Sequence, residues 1–99
     1  MPDSLNTPDQ PAELSRKGHV LVIDDENDIR ESLEFLLSGE GYRVDTASRA
    51  MEGLEKLAHQ TYDLVLLDLM MPDLTGLEAL AEIRKRDQAT PVFLLTAYG

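Results

Sequence analysis

The sequence predicts an α/β fold in which a doubly wound parallel sheet is covered by helices on both faces. Residues 20–23 and 64–67 are aliphatic at every position, as strands buried on both faces of a parallel sheet are. Segments with the apolar spacing of amphipathic helices separate these strands. The two kinds of segment alternate as β-α-β-α-β-α-β, and right-handed crossovers in that order lead to a doubly wound sheet.

The amino-terminal part of the chain differs from the rest. Three prolines lie among polar residues before residue 12, and no apolar period is sustained there. This composition predicts a flexible leader over 1–18 and a folded domain over 19–99.

The first strand is predicted at residues 20–23 and is followed directly by Asp24 and Asp25. The next segment is predicted to be a helix, because its apolar residues recur at i, i+4, i+7 and i+8. They are Ile29, Leu33, Leu36 and Leu37. Gly39 and Gly41 offer left-handed positions that would end this helix.

The second strand is predicted at residues 42–47, which alternate polar and apolar positions as an edge strand does. Ser48 can cap the helix that follows it. The inward residues of that helix are expected to be Met51, Leu54, Leu57 and Ala58. The third strand, 64–67, leads directly into Asp68.

The third helix is predicted to begin at Thr75, since residues 75–78 fit the Ser/Thr-x-x-Glu capping box. Its buried side is expected to comprise Leu77, Leu80, Ala81 and Ile83. Pro91 leads into a fourth strand over Val92–Leu95, and Thr96 follows it.

Polar side chains therefore follow three strands of the predicted sheet. Asp24 and Asp25 follow the first strand, Asp68 the third and Thr96 the fourth. Ligands of doubly wound sheets bind outside the carboxyl ends of the strands. We therefore expect these four residues to meet at one edge.

Three carboxylates crowded at one edge raise one another's pKa or attract a cation. An oxygen-only ligand set indicates a hard cation, which is Mg²⁺ first and otherwise Mn²⁺ or Ca²⁺. A carboxylate can act as a nucleophile and form an acyl phosphate. A hydroxyl such as that of Thr96 can bind phosphoryl oxygens. The pattern thus favours phosphoryl transfer to an aspartate.

Composition excludes several classes of protein. Acidic residues outnumber basic ones 19 to 9, and a net charge of −10 argues against binding of nucleic acid or anionic membrane by this segment. The absence of cysteine excludes disulfides and thiolate metal sites. No aliphatic run approaches the roughly twenty residues of a membrane span. We expect a cytoplasmic protein, with His19 and His59 at its surface.

Three segments in succession resemble the signatures of response regulator receiver domains. They are residues 20–26, VLVIDDE; residues 68–76, DLMMPDLTG; and residues 94–97, LLTA. The resemblance runs from about His19 to the end of the chain. It implies the flavodoxin-like receiver fold with strand order 2-1-3-4, and a function in two-component signalling. The short segment 96–99 is also similar to receivers attached to enhancer-binding AAA+ transcription activators.

The resemblance also implies roles for individual residues. Asp68 would accept a phosphoryl group from a sensor histidine kinase. Asp25 and Asp68 would bind Mg²⁺ directly, with Asp24 acting through water and Met70 contributing its backbone carbonyl. Thr96 would bind the phosphoryl group. Outside the ligand set, Ala97 would leave room for that group, and Pro72 and Gly76 would shape the loop after Asp68.

One departure from the family is large. Receivers have a fifth strand that ends in a lysine, and two more helices, whereas this sequence stops at Gly99. The receiver is therefore expected to be incomplete at its carboxyl end. We also expect the strand at Val92–Leu95 to be an unpaired edge, through which two copies could pair as a homodimer.

Other functions remain open at this point. A pseudo-receiver, which acts as an interaction module without phosphorylation-driven switching, is the main alternative. A dehalogenase-type phosphatase requires Asp-x-Asp after its first strand, where this chain has adjacent aspartates. A nucleotide-binding module is disfavoured, because no glycine-rich loop follows any strand. We expect no enzymatic activity beyond self-phosphorylation and self-dephosphorylation.

Overall fold

The computed structural model describes residues 17–96, so most of the predicted leader and Ala97 lie outside the described residues. Strands and helices alternate along this part of the chain. The strands are β1 (His19–Ile23), β2 (Arg43–Ala47), β3 (Leu64–Asp68) and β4 (Val92–Leu95). The helices are α1 (Asn27–Gly39), α2 (Ala50–His59) and α3 (Gly76–Arg86). The predicted order of elements is confirmed.

The four strands form one parallel sheet in the order β2-β1-β3-β4. This confirms the doubly wound prediction and the order 2-1-3-4. The two central strands, β1 and β3, pair with Val20 opposite Leu64 and Ile23 opposite Leu67. Their carboxyl ends therefore lie side by side, which places the residues that follow β1 next to Asp68.

Alternation along the central strands supplies a core on each face of the sheet. Leu21 and Ile23 of β1 point to the face that α2 and α3 cover, where Leu54 and Ile83 pack on them. The neighbouring strand residues point to the other face, against α1; they are Val20, Val22 and Leu66. The apolar character of these strands at every position follows from burial on both faces.

The buried side of α1 is narrower than its apolar stripe predicts. Leu33 and Leu37 pack against the sheet, whereas Ile29 and Leu36 are 39% and 61% exposed. At 100° per residue, the side that faces the sheet is centred between Leu33 and Leu37, so the other two lie at its margin. The predicted amphipathic helix is present, but only Leu33 and Leu37 of its apolar stripe pack against the sheet.

The inward sides of the other two helices also differ from the prediction. In α2, Leu54 is buried and Leu57 is half-buried, but Met51 and Ala58 are exposed. In α3, Leu80 is half-buried and Ile83 is buried as predicted, whereas Leu77 and Ala81 are exposed. Instead, Gly76 and Ala79 face the core, because the start of α3 lies directly against the backbone at the end of β3.

Two of the predicted helix ends need correction. Arg49, not Ser48, is the N-cap residue of α2, and the Ser48 hydroxyl and N–H both donate to Glu52. At the end of α1, Gly41 adopts the left-handed conformation with φ 99°, as predicted. Gly39, by contrast, is an ordinary helical residue.

Within residues 17–96, β4 pairs only with β3, and its Phe93 side chain is 61% exposed. Pairing of two copies through this edge stays a prediction. None of the helices among these residues is long and apolar enough to cross a membrane.

Candidate functional site

The carboxyl ends of β1 and β3 bring three aspartates together. One carboxylate oxygen from each of Asp24, Asp25 and Asp68 lies within 4.8 Å of the other two. Asp24 is buried, Asp25 is exposed and Asp68 is half-buried, so the cluster extends from the interior to the surface. The convergence expected from the sequence is therefore present.

The loop after β1 holds Asp24 in place through its backbone and its side chain. Its N–H donates to the carbonyl of Ala47 at 3.1 Å, and its carbonyl accepts from the guanidinium of Arg30 at 2.8 Å. Its carboxylate accepts the N–H of Glu26 at 2.8 Å. These contacts fix the turn that presents Asp25 to solvent.

Asp68 is the last residue of β3. The sequence predicted a strand over 64–67 with Asp68 just after it, so the strand is one residue longer than predicted. Its carboxylate accepts the N–H of Met70 at 3.3 Å. Burial, with the nearby carboxylates of Asp24 and Asp25, raises the pKa of Asp68 to about 6. Ionisation of Asp68 is therefore less favourable than that of a free aspartate, and a cation at this edge would offset the difference.

The donor set fits Mg²⁺. The three clustered carboxylate oxygens are hard ligands, the kind that Mg²⁺ prefers, and they lie within 4.8 Å of one another. The Met70 side chain is 69% exposed, so its identity does not restrict this edge.

The loop between β3 and α3 is closed tightly. The N–H of Gly76 donates to the carbonyl of Leu69 at 2.6 Å. A methyl group at Gly76 would lie 2.7 Å from the carbonyl oxygen of Asp68, so only glycine fits there. Thr75 and Glu78 form the predicted capping box of α3. The predicted role of Gly76 in shaping this loop therefore has a steric basis.

Thr96 follows β4 and lines the same cleft as the aspartates. We call this space the acidic cleft, and its volume is about 620 Å³. It is lined by Asp24, Asp25, Glu26, Asp28, Ile29, Ser32, Leu33, Asp68, Met70, Leu95 and Thr96. All five described site residues predicted from the sequence are in this list.

Sequence reasoning missed part of this cleft. Asp28 and Ser32 of α1 also line the acidic cleft. Their i, i+4 spacing places them on one side of the helix, and this spacing could have been read from the sequence. The contact of Arg30 with the Asp24 carbonyl has no comparable signal, because the sequence does not show where a long side chain turns.

The opposite end of the sheet holds a second polar group. His19 was expected at the surface, but its side chain is only 13% exposed, and its Nε2 lies 2.9 Å from a carboxylate oxygen of Asp45. The Tyr62 hydroxyl donates to the same oxygen at 2.7 Å. This group lies far from the acidic cleft, so the surface prediction for His19 is wrong without affecting the site.

The fold and the cleft define a class: a doubly wound α/β domain whose carboxyl edge carries an acidic, oxygen-only cluster. The family model for the response regulator receiver domain matches residues 20–99. The chain therefore belongs to the response regulator receiver domain family, a class of signalling domains.

Individual relatives agree with this assignment. The transcriptional regulatory protein YkoG of Bacillus subtilis is 49% identical over 81 residues, which are 82% of this chain and 36% of YkoG. The response regulator TrrA of Thermotoga maritima, crystallised with Mg²⁺-BeF, is 48% identical with a TM-score of 0.78, and the match covers 82% of this chain and 70% of TrrA. TrrA has also been crystallised with the histidine kinase ThkA.

A longer relative shows the same domain in another setting. NtrX of Brucella abortus is 36% identical with a TM-score of 0.79, and the match covers 83% of this chain but 19% of NtrX. The chain spans about a third of the length of the curated relatives it matches.

Proposed function

We propose that Asp68 of this receiver domain accepts a phosphoryl group from a sensor histidine kinase, with Mg²⁺ held at the same edge. The observation that carries the proposal is the cluster of Asp24, Asp25 and Asp68, whose oxygens lie within 4.8 Å of one another at the end of the central strands. Asp68 alone of the three is half-buried, so it lies inside the cleft and is still accessible.

Four residues would hold the metal. Asp25 and Asp68 supply carboxylate oxygens directly, the buried Asp24 acts through water, and Met70 supplies its backbone carbonyl. When bound, Mg²⁺ neutralises the negative charge that the incoming phosphoryl group and the carboxylates share. The raised pKa of Asp68 supports this assignment, because a cation at this position stabilises the ionised, nucleophilic form.

The chemistry of the residues is that of an acyl phosphate. An oxygen of Asp68 attacks phosphorus, an O–P bond forms, and the P–N bond to the kinase imidazole breaks with its electron pair staying on nitrogen. Thr96 binds a phosphoryl oxygen from the adjacent strand end. The domain acts on its own side chain rather than on a separate substrate, so it is not an enzyme in the usual sense.

The partner and the setting follow from the relatives. TrrA is found with a histidine kinase, and YkoG is named as a transcriptional regulator. We propose a sensor histidine kinase as the phosphoryl donor, a transcription regulator as the whole protein, and a cytoplasmic location for it. We propose that the domain over 19–99, with a leader before it, does not bind nucleic acid or membrane, because the whole chain has a net charge of −10.

Beryllofluoride with Mg²⁺, which mimics an acyl phosphate, tests the proposal on the 99-residue chain. We expect amide resonances at Asp68 and Thr96 to shift in wild type and not in Asp68→Asn, whose side chain has the same shape without the charge. Asp63→Asn is the matched control, because Asp63 lies beyond the opposite end of the same strand and should leave the response intact. A wild-type chain that binds Mg²⁺ but ignores beryllofluoride would favour an interaction module instead.

A further inference from the structure

Asp73 lies in the loop between β3 and α3, but its side chain binds a different element. Its Oδ1 accepts the N–H of Ala50 at 3.2 Å, and its Oδ2 accepts the N–H of Met51 at 2.9 Å. Its Oδ1 also accepts the N–H of Leu74 in its own loop at 2.9 Å. One carboxylate thus joins the loop that follows Asp68 to the first turn of α2.

This contact replaces a cap that α2 does not make locally. The N-cap residue, Arg49, makes no side-chain cap hydrogen bond, and Ser48 is engaged with Glu52. The first N–H groups of a helix have no partner within the helix and favour an anion. The carboxylate of Asp73 satisfies both requirements. Although partial burial raises its pKa, the N–H donors of Met51 and Ala50 lower it below the usual value.

The loop that Asp73 anchors is the one that carries Met70. Its two ends are joined by the hydrogen bond from Gly76 to Leu69 and by the bridge between Met70 and Thr75. These contacts close the base of the loop, whereas Asp73 attaches its tip to α2. The position of the Met70 carbonyl relative to Asp68 therefore depends on all three contacts.

We propose that Asp73 is a positioning residue for the metal-binding loop and couples the first turn of α2 to the acidic cleft. The inference rests on the metal ligands of the proposed function. Asp73 does not touch the cation. It holds the loop so that the Met70 carbonyl and the Asp68 carboxylate can bind one ion together, and it transmits a shift of the loop to Ala50 and Met51.

An ¹⁵N NMR titration of the 99-residue chain with Mg²⁺ tests this coupling. In wild type, we expect the amide resonances of Ala50 and Met51 to move with the same Kd as those of Asp68 and Met70. In Asp73→Ala, the Kd should increase roughly tenfold or more, in line with the effect of residues that orient metal ligands. The response at Ala50 and Met51 should be lost in that variant.

Two further variants separate positioning from charge. Asp73→Asn keeps one acceptor oxygen for the α2 amides and replaces the other by an NH₂ donor, so its Kd should lie between those of wild type and Asp73→Ala. Asp87→Ala removes an equal charge at the far end of α3, where Asp87 accepts the N–H groups of Ala89 and Thr90. It should leave the Kd and the α2 response unchanged.

The outcomes are distinct. A wild-type Kd in Asp73→Ala, or an equal loss in Asp73→Asn, would overturn the inference and leave the proposed function standing. If Asp73→Ala does not fold, the wild-type titration decides, because silence at Ala50 and Met51 overturns the coupling and movement there supports it. Failure of wild type to bind Mg²⁺ would overturn both proposals.

Discussion

The two ends of the sheet place aspartates in opposite electrostatic settings. Near the amino ends of the central strands, the Asp45 side chain of the edge strand β2 accepts hydrogen bonds from Tyr62 and His19. Burial raises its pKa, but these donors and the charge of Arg43 lower it overall. At the carboxyl end, burial and two more carboxylates raise the pKa of Asp68 to about 6. The same residue type is therefore stabilised as an anion at one end and destabilised at the other.

The two ends of the sheet also differ in how their negative charge is balanced. At the amino end, groups of the chain itself balance the charge of Asp45, and the rings of His19 and Tyr62 pack at a tilt of 47° with 4.3 Å between their centroids. Within residues 17–96, the ion pairs lie outside the acidic cluster, at Lys17–Glu40, His19–Asp45 and Lys85–Glu82. Among these residues, no ion pair involves Asp24, Asp25 or Asp68.

The largest effect is expected from Gly76→Ala at the carboxyl end. Its methyl group would lie 2.7 Å from the Asp68 carbonyl oxygen and 2.8 Å from the Leu69 Cα, and neither backbone atom can move independently. We expect the free energy of unfolding, measured by urea denaturation, to fall by about 2–3 kcal/mol. Gly39→Ala is the control, because a methyl group added at Gly39 would have no atom of another residue within 4 Å outside its own helix turn. That variant should be neutral or slightly stabilising, and equal midpoints for both variants would contradict the close approach.

The pH dependence of stability should have opposite signs at the two ends. The folded pKa of Asp68, about 6, lies above the ordinary 3.8, so ionisation costs stability as the pH rises from about 4 through 6. Without Mg²⁺ at pH 7, Asp68→Asn should be more stable than wild type by roughly 1–2 kcal/mol after allowance for solvent screening. The gain should vanish below about pH 4, and added Mg²⁺ should reduce it.

Asp45→Asn is the counterpart of that variant. Because the folded pKa of Asp45 is lowered, its ionised form contributes stability above about pH 4 that is lost as the pH falls through the folded pKa. Asp45→Asn should therefore be less stable than wild type at pH 7, with a difference that shrinks in acid. Urea unfolding at pH 3, 5 and 7 measures both variants, and equal signs would contradict the comparison.

The smallest effect is expected from Tyr62→Phe. It removes the hydroxyl that donates to Asp45 at 2.7 Å but leaves the buried ring and the His19 contact. We expect a loss of about 1 kcal/mol in the free energy of unfolding. The Mg²⁺ affinity should not change, since the two ends are electrostatically independent. Tyr42→Phe is the control, and a change of Mg²⁺ affinity in Tyr62→Phe would show that the ends are coupled.

The local pattern of apolar and polar residues was sufficient to predict the strands and helices and the cluster of aspartates. Residues 20–23 and 64–67 are apolar throughout because both faces of their strands are covered, and this property is visible in the sequence. Asp24, Asp25 and Asp68 follow directly from the ends of those strands. A parallel sheet brings such ends to one edge whatever the details of packing, so their meeting could be predicted.

The sequence by itself thus determined the order of elements, the sheet and the acidic edge, because each depends on residues close together in the chain. Only the tertiary structure decided which helical residues are buried, why residue 76 is glycine, and which elements Asp73 and His19 join. Leu77 is the larger apolar residue, yet it is 63% exposed whereas Ala79 is buried, and the close approach of Gly76 to the backbone at the end of β3 sets which side of α3 faces the core. The Asp73 contact joins residues 22 and 23 positions apart, and no local period encodes such a distance.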